Sequence, residues 1–358
     1  MARGITETTT TVAAKATTTA CHKRKVFDLP ATYLAFGLRW SSDVSLQALP
    51  VMDDGGAPDV CVWAKSWPSV NENDSFLWYA SPDPGSRLRV FRLSTGEYFL
   101  VRYGDGTDFL INRSGSQVWC RWAPGYSFDY AATYLFGSIP GFLLRLRGIV
   151  CLHASVVAMD NWAVAFMGPA RAGKSTLATA LAEQGFSILS DDILALKESG
   201  SGFEALPSYP RVRLWSDSVD ALFGSPDALP LITEGWDKRH LDLTAGSRFE
   251  NRPHPLGAIY VLGERSRNLP GPRIEVLEGA VGLSSLVANT YAYKMFDTEM
   301  RRYEFQLLAR LANRVPLRSV TPFADLNRIG QLCDLVRGDF AVLPMPADTP
   351  GPGVAVDV

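Results

Sequence analysis

The chain is expected to fold as an α/β protein in which a smaller β-rich N-terminal domain precedes a larger domain of alternating strands and helices. Three observations lead there. Residues 31–122 carry short alternating apolar and polar segments punctuated by turn residues. From Ile149 onward the pattern changes to apolar runs alternating with helical spacing. Between a run and a helix of the second kind lies a glycine-containing loop, Gly168 to Thr176.

The 358 residues are enough for two domains, and 47% hydrophobic with 20% charged residues is ordinary globular composition, which excludes a wholly disordered, collagen-like or coiled-coil chain. Lys+Arg 35 against Asp+Glu 37 gives a net charge of −2 with interspersed signs, so no nucleic-acid partner is announced. Cys21, Cys61, Cys120, Cys151 and Cys333 are scattered, odd in number and never paired as C-x-x-C. They point away from a disulfide framework and a structural zinc site, towards a reducing, cytoplasmic compartment. The apolar stretch Gly141 to Val150 is broken by Arg145 and Arg147, so neither a membrane span nor a membrane partner is expected. The Thr/Ala-rich segment from Thr6 to Ala20 contains Glu7 and Lys15 and no continuous apolar region; residues 1–30 are read as a disordered leader, with a transit role as the alternative.

In the domain at 31–130, Arg87 to Leu93 and Glu97 to Tyr103 flank the turn Ser94-Thr95-Gly96. Gly104-Asp105-Gly106 leads to Asp108 to Asn112, and Ser114-Gly115-Ser116 to Gln117 to Trp122, which predicts an antiparallel meander with aromatic residues in its core. The loop Asp53 to Pro58 and the turn Pro82 to Gly85 punctuate earlier strands. Ser127 to Arg147 has helical spacing and connects to the second domain, 131–340. There Ile149 to Val157 and Trp162 to Met167 read as buried strands, Ser175 to Gln184 as a helix closed by Gly185, and Phe186 to Leu189 as the next strand, a βαβ unit implying a largely parallel sheet covered on both faces. Leu256 to Leu262 adds a strand, and Leu283 to Phe296, Thr298 to Ala312 and Pro322 to Val336 add helices. Residues 341–358, Pro- and Gly-rich from Met345, are read as a flexible tail.

Gly168-Pro169-Ala170-Arg171-Ala172-Gly173-Lys174-Ser175-Thr176 matches G-x-x-x-x-G-K-[ST] in full, after a strand and before a helix. Such a loop wraps backbone N–H groups around a phosphate chain at the positive end of the helix dipole. Lys174 adds a charge at the β and γ phosphates of ATP, and the Ser175 hydroxyl is free for Mg²⁺. Asp191-Asp192 ends the following strand, where a parallel sheet brings it beside the loop: one carboxylate to hold Mg²⁺, the other to take a proton or orient a water. For an isolated Asp pair a helix cap or solvated turn is the alternative. His153, in an apolar segment, is on spacing alone either a satisfied core histidine or a site residue.

With these residues in order, His153 to Leu196 resembles HPr kinase/phosphorylase, and more closely the HPr-kinase-like serine kinases of peptide biosynthetic clusters, including the lasso-peptide type. The resemblance implies a PEP-carboxykinase-like nucleotide fold in which Asp191 activates the acceptor serine hydroxyl, His153 is its electrostatic partner, and Asp192 with Ser175 binds Mg²⁺. It extends more loosely to about Val336, through Tyr209-Pro-Arg-Val-Arg213-Leu-Trp215, Lys238-Arg239 and Leu286-Val-Ala-Asn-Thr-Tyr291. Arg213, Lys238 and Arg239 are candidates for touching the transferred phosphate or an acidic substrate, or else form a solvated basic face. The chain departs from the family where Glu-Ile-Arg-Gly falls at Arg211-Val-Arg213-Leu214, placing Arg211 at an acidic metal-site position, and where Thr176 replaces a Glu; both point away from phosphorolysis. The expected activity is transfer of the γ-phosphate of ATP to a Ser or Thr of a peptide or protein, with a small-molecule kinase or a nucleotide-gated binding protein as alternatives. A homo-oligomer is compatible with the family.

Overall fold

The computed structural model describes residues 31–52, 55–82, 87–200, 202–233, 236–246, 248–292 and 297–344. The expected leader, residues 345–358 of the expected tail, and parts of the 53–58 loop and the 82–85 turn lie outside them. The N-terminal strands are β1 (Thr32–Ala35), β2 (Leu38–Ser42), β3 (Val51–Met52), β4 (Val60–Trp63), β5 (Ser75–Ala80), β6 (Arg89–Leu93), β7 (Tyr98–Arg102), β8 (Asp108–Asn112) and β9 (Gln117–Arg121). Among the described residues they form one nine-stranded sheet in the order β3-β1-β2-β4-β9-β8-β7-β6-β5. The meander from β6 to β9 follows the turns seen in the sequence, with Val90 opposite Val101, Phe99 opposite Ile111 and Ile111 opposite Val118.

Alternation decides which face is covered. Val90, Phe99, Val101, Phe109, Ile111 and Val118 point to one side and pack with α1 (Phe128–Leu135) and α2 (Ser138–Leu146) in a single core that also takes in Cys151, Ile193 and Tyr209 from later in the chain. At roughly 1.5–3 kcal/mol for each large side chain buried, this shared core holds the two helices against both halves of the molecule. Ser127 caps α1 by accepting from Tyr130 N–H.

After α2 come β10 (Val150–Leu152), β11 (Ala154–Met159), β12 (Trp162–Met167), α3 (Lys174–Glu183), β13 (Ser187–Ser190), β14 (Leu194–Ser199), β15 (Gly202–Leu206), β16 (Arg211–Trp215), α4 (Ser216–Phe223), β17 (Lys238–Asp242), β18 (His254–Leu262), β19 (Arg273–Val276), α5 (Gly279–Ala288), α6 (Thr298–Arg314), β20 (Leu317–Thr321) and α7 (Ile329–Ala341). The main sheet runs β10-β14-β15-β18-β12-β11-β13, with β20 beside β18 and β19 beside β20; β16 and β17 form a separate ribbon.

The sheet is mixed rather than largely parallel. Asp160 and Asn161 both have positive φ, 47° and 67°, the geometry of a tight two-residue hairpin, so β11 folds straight back on β12. The crossover β12-α3-β13 therefore steps over an antiparallel strand, and the parallel pairs are β12 with β18 and β18 with β20. Both faces are covered, as expected. Val164 and Phe166 of β12 face α3 and α7, while Ala163, Ala165 and Met167 face α5 and α6.

Three predicted elements shift. The strand expected over Ile149 to Val157 breaks at His153, because β10 pairs with β14 and β11 with β12 and β13. The helix expected over Leu283 to Phe296 spans Gly279–Ala288 instead: Asn289 O accepts from His153 N–H (2.8 Å) and Tyr291 N–H donates to Cys151 O (2.9 Å), which draws that backbone onto β10. The last helix starts at Ile329, since Pro322 and Ala324 bond with Ser266, and runs to Ala341. Leu343, placed in the tail by the sequence reading, is buried against this helix layer.

Candidate active site

The loop between β12 and α3 is held open by backbone geometry. Gly168 has φ 145° and a Cβ there would lie 2.5 Å from Leu262 O at the end of β18, so only glycine lets the loop pass. The loop ends at Gly173, which caps α3, and the first N–H groups of α3 have no intrahelical acceptor. Lys174 is buried, its Nζ donating to Gly168 O (2.9 Å) and Pro169 O (3.0 Å). Burial pushes its pKa down, opposed by Asp192 and Asp191. The ammonium thus rests on two loop carbonyls.

The adjacent acids diverge. Asp191 is 6% exposed and its carboxylate accepts from Ser155 Oγ (2.7 Å), Ser175 Oγ (2.8 Å) and Arg213 N–H (3.0 Å). Burial and the neighbouring Asp192 charge raise its pKa despite these three donors. Asp192 has φ 63°, a left-handed conformation that Asp tolerates, and the turn sends its side chain into the cavity instead. Burial pushes the Asp192 carboxyl up, but Lys238, Arg213 and Lys174 outweigh it and hold it below the usual carboxylate range.

That cavity, about 420 Å³, is lined by the loop from Ala170 to Thr176 except Ala172, and by His153, Asp192, Arg213, Trp215, Lys238 and Arg265 among others. His153 sits at the break between β10 and β11, packed 5.9 Å from the Tyr291 ring. Burial and Lys174 push its pKa down to about 4, so the imidazole is neutral at pH 7. The β16–β17 ribbon delivers the cations. Arg213 lies opposite His240, and Lys238 opposite Trp215, whose ring also carries Arg171 at 4.2 Å. Arg239, the neighbour of Lys238, faces away: it is 8% exposed and bonds Asp227 and Pro226 O outside the cavity. Strand alternation separates the two residues that the sequence reading grouped.

Gly168 to Thr176, Lys174, His153, Asp191, Asp192, Arg213 and Lys238 are therefore brought to one place, and Arg239 is not. Sequence reasoning missed Ser155 and Arg265 and gave no role to Trp215, Tyr209 or Tyr291. Ser155 lies two residues after His153, a serine in a buried strand, which is the one signal that was available. Among the described residues no group of three or more His, Cys, Asp or Glu side chains could cage a metal ion. A Mg²⁺ carried with a nucleotide needs few protein ligands, and the Ser175 hydroxyl and Asp192 carboxylate that line the cavity are hard oxygen donors of the right kind. Among the described residues no helix is long and apolar enough to cross a membrane.

No protein-family model matches the chain, and no curated protein does. Among solved structures, the HPr(Ser) kinase/phosphatase from Coxiella burnetii is similar at 15% identity, covering 53% of this chain and 95% of that one, with a TM-score of 0.30.

Proposed function

We propose that the protein is an ATP-dependent kinase that transfers the γ-phosphate to a Ser or Thr hydroxyl of a peptide or protein. The observation that carries this reading is the divergence of the two acids: one ionised carboxylate faces the cationic cavity while its neighbour is committed to the loop serine. The loop N–H groups and Lys174 would hold the β and γ phosphates, and Arg213 and Lys238 would offset charge on the transferred group. The roles implied by the resemblance are then reversed. Asp192, open to the cavity and ionised, accepts the proton as the acceptor oxygen bonds to the γ phosphorus and the bridging oxygen departs with ADP. Asp191 orients Ser175 from below. Neutral His153 keeps the Asp192 side of the cavity from gaining a further positive charge. Mg²⁺, bound with the nucleotide through the Ser175 hydroxyl oxygen, would supply charge neutralisation on the phosphates.

The test is incubation of the full chain with γ-labelled ATP, Mg²⁺ and Ser/Thr-containing peptides. Label on a hydroxyl residue is expected. ATP binding without labelling of any peptide would contradict peptide phosphorylation and move the account to small-molecule acceptors or to nucleotide-gated binding.

A further inference from the structure

We propose that the C-terminal end of α1 belongs to the site: the Thr133 carbonyl and the bare Cα of Gly137 form the seat that holds the Arg213 guanidinium beside the phosphate cavity. The inference rests on the kinase reading only for the purpose of the seat. Its geometry stands on contacts between segments 80 residues apart.

Gly137 N–H donates to Tyr134 O (2.9 Å), one residue nearer than the α pattern, which leaves Thr133 O for Arg213 Nη2 at 2.9 Å. A helix C-terminus concentrates unpaired carbonyls and the negative dipole end, so a guanidinium is stabilised there. Gly137 has φ −105° and ψ −100°, outside the regions that a residue with a Cβ prefers, so conformation and space both call for glycine. A Cβ at this position would stand 2.7 Å from Thr133 O and 3.0 Å from Arg213 Nη1, filling the place the guanidinium occupies.

The same corner is pinned on every side. Tyr209 OH donates to Phe136 O and Tyr291 OH to Gly137 O (3.2 Å), while Tyr130 and Tyr134 of α1 donate to Asp105 in the β7–β8 turn (2.8 and 2.6 Å). The N-terminal sheet thereby fixes α1, α1 seats Arg213, and Arg213 N–H holds Asp191. Thr133 and Gly137 are positioning residues.

The test is a four-protein cycle of wild type, Gly137→Ala, Arg213→Lys and the double variant, with ATP affinity measured by calorimetry and thermal unfolding measured in parallel. Lysine keeps the charge and the backbone N–H to Asp191 but has no Nη1 for the new methyl to meet. Gly137→Ala is expected to weaken ATP binding about fivefold more in the wild-type background than with Arg213→Lys, because backbone strain and the contact with Thr133 O are common to both backgrounds and only the contact with Nη1 is not, a coupling of the size found between contacting residues. Equal losses in both backgrounds, or no loss in either, would overturn the seat. If wild type fails to bind ATP, the kinase reading falls; coupling in the unfolding temperatures would then leave the seat as a structural clasp, and its absence would overturn that too.

Discussion

Ser175 Oγ donates to Asp191 Oδ1 at 2.8 Å, tying the residue after the loop lysine to the end of β13. With Ser155 Oγ and Arg213 N–H on the same carboxylate, Asp191 joins β11, α3, β13 and β16 at one point. An acid committed to three donors and hidden from the cavity is a poor proton acceptor for an arriving hydroxyl. Its neighbour, rotated into the cavity by a left-handed turn, has neither handicap.

Replacing Lys174 with Met is expected to weaken ATP binding by roughly 10- to 100-fold, the equivalent of losing charge-assisted hydrogen bonds worth about 1.5–3 kcal/mol. Calorimetric titration of ATP into both proteins measures it. Unchanged affinity would mean that the ammonium stays on Gly168 O and Pro169 O when nucleotide binds.

The Trp215 ring carries both Arg171, at 4.2 Å, and Lys238, at 5.0 Å. Cation–π contacts of this kind are worth about 0.5–2 kcal/mol, so Trp215→Ala should raise the KM for ATP several-fold while Trp215→Phe has a smaller effect. Steady-state kinetics of the two variants separates ring stacking from bulk, and equal effects would count against it.

Gly168→Ala places a methyl 2.5 Å from Leu262 O at a φ of 145°. Strain of about 1–3 kcal/mol is expected, seen as a lower unfolding temperature together with weakened ATP binding. A variant with wild-type Tm and affinity would show that the loop leaves β18 by another path.

Glu304 on α6 pairs with Arg145 of α2, both buried. Burial pushes the Glu304 carboxyl up from 4.5 to about 7 against the pull of Arg145. A raised pKa means that the folded protein binds more protons than the unfolded chain between these values, so this residue's contribution is fully present below about pH 4.5 and is lost as pH rises through 7. The stability difference between wild type and Glu304→Gln should fall over that window and level off above it. Unfolding midpoints of the two proteins across pH 4.5 to 8 check this, and a flat difference contradicts it.

The phosphate loop, its strand and its helix are legible in the sequence because their constraints are local: glycines where the backbone must turn, an apolar run before, an Ala/Leu run after. The N-terminal meander is legible for the same reason. The direction of the central sheet is not, since it hinges on Asp160-Asn161 making a tight hairpin, and neither residue is the glycine that would have marked one. Nor can the roles of Asp191 and Asp192 be separated from their spacing, because the sign of one φ decides which carboxylate meets the cavity. Ser155, Arg265 and Gly137 act through packing between distant segments, which no local pattern records.

Single-turnover transfer from γ-labelled ATP by wild type, Asp192→Asn and Asp191→Asn tests most directly which carboxylate takes the proton. General-base catalysis contributes about 10²–10⁴-fold, so Asp192→Asn should lose that much rate while keeping ATP affinity. Asp191→Asn should instead weaken ATP binding and lower the unfolding temperature, with transfer from bound ATP less affected. Full transfer by Asp192→Asn, with loss confined to Asp191→Asn at unchanged ATP affinity, would contradict the account.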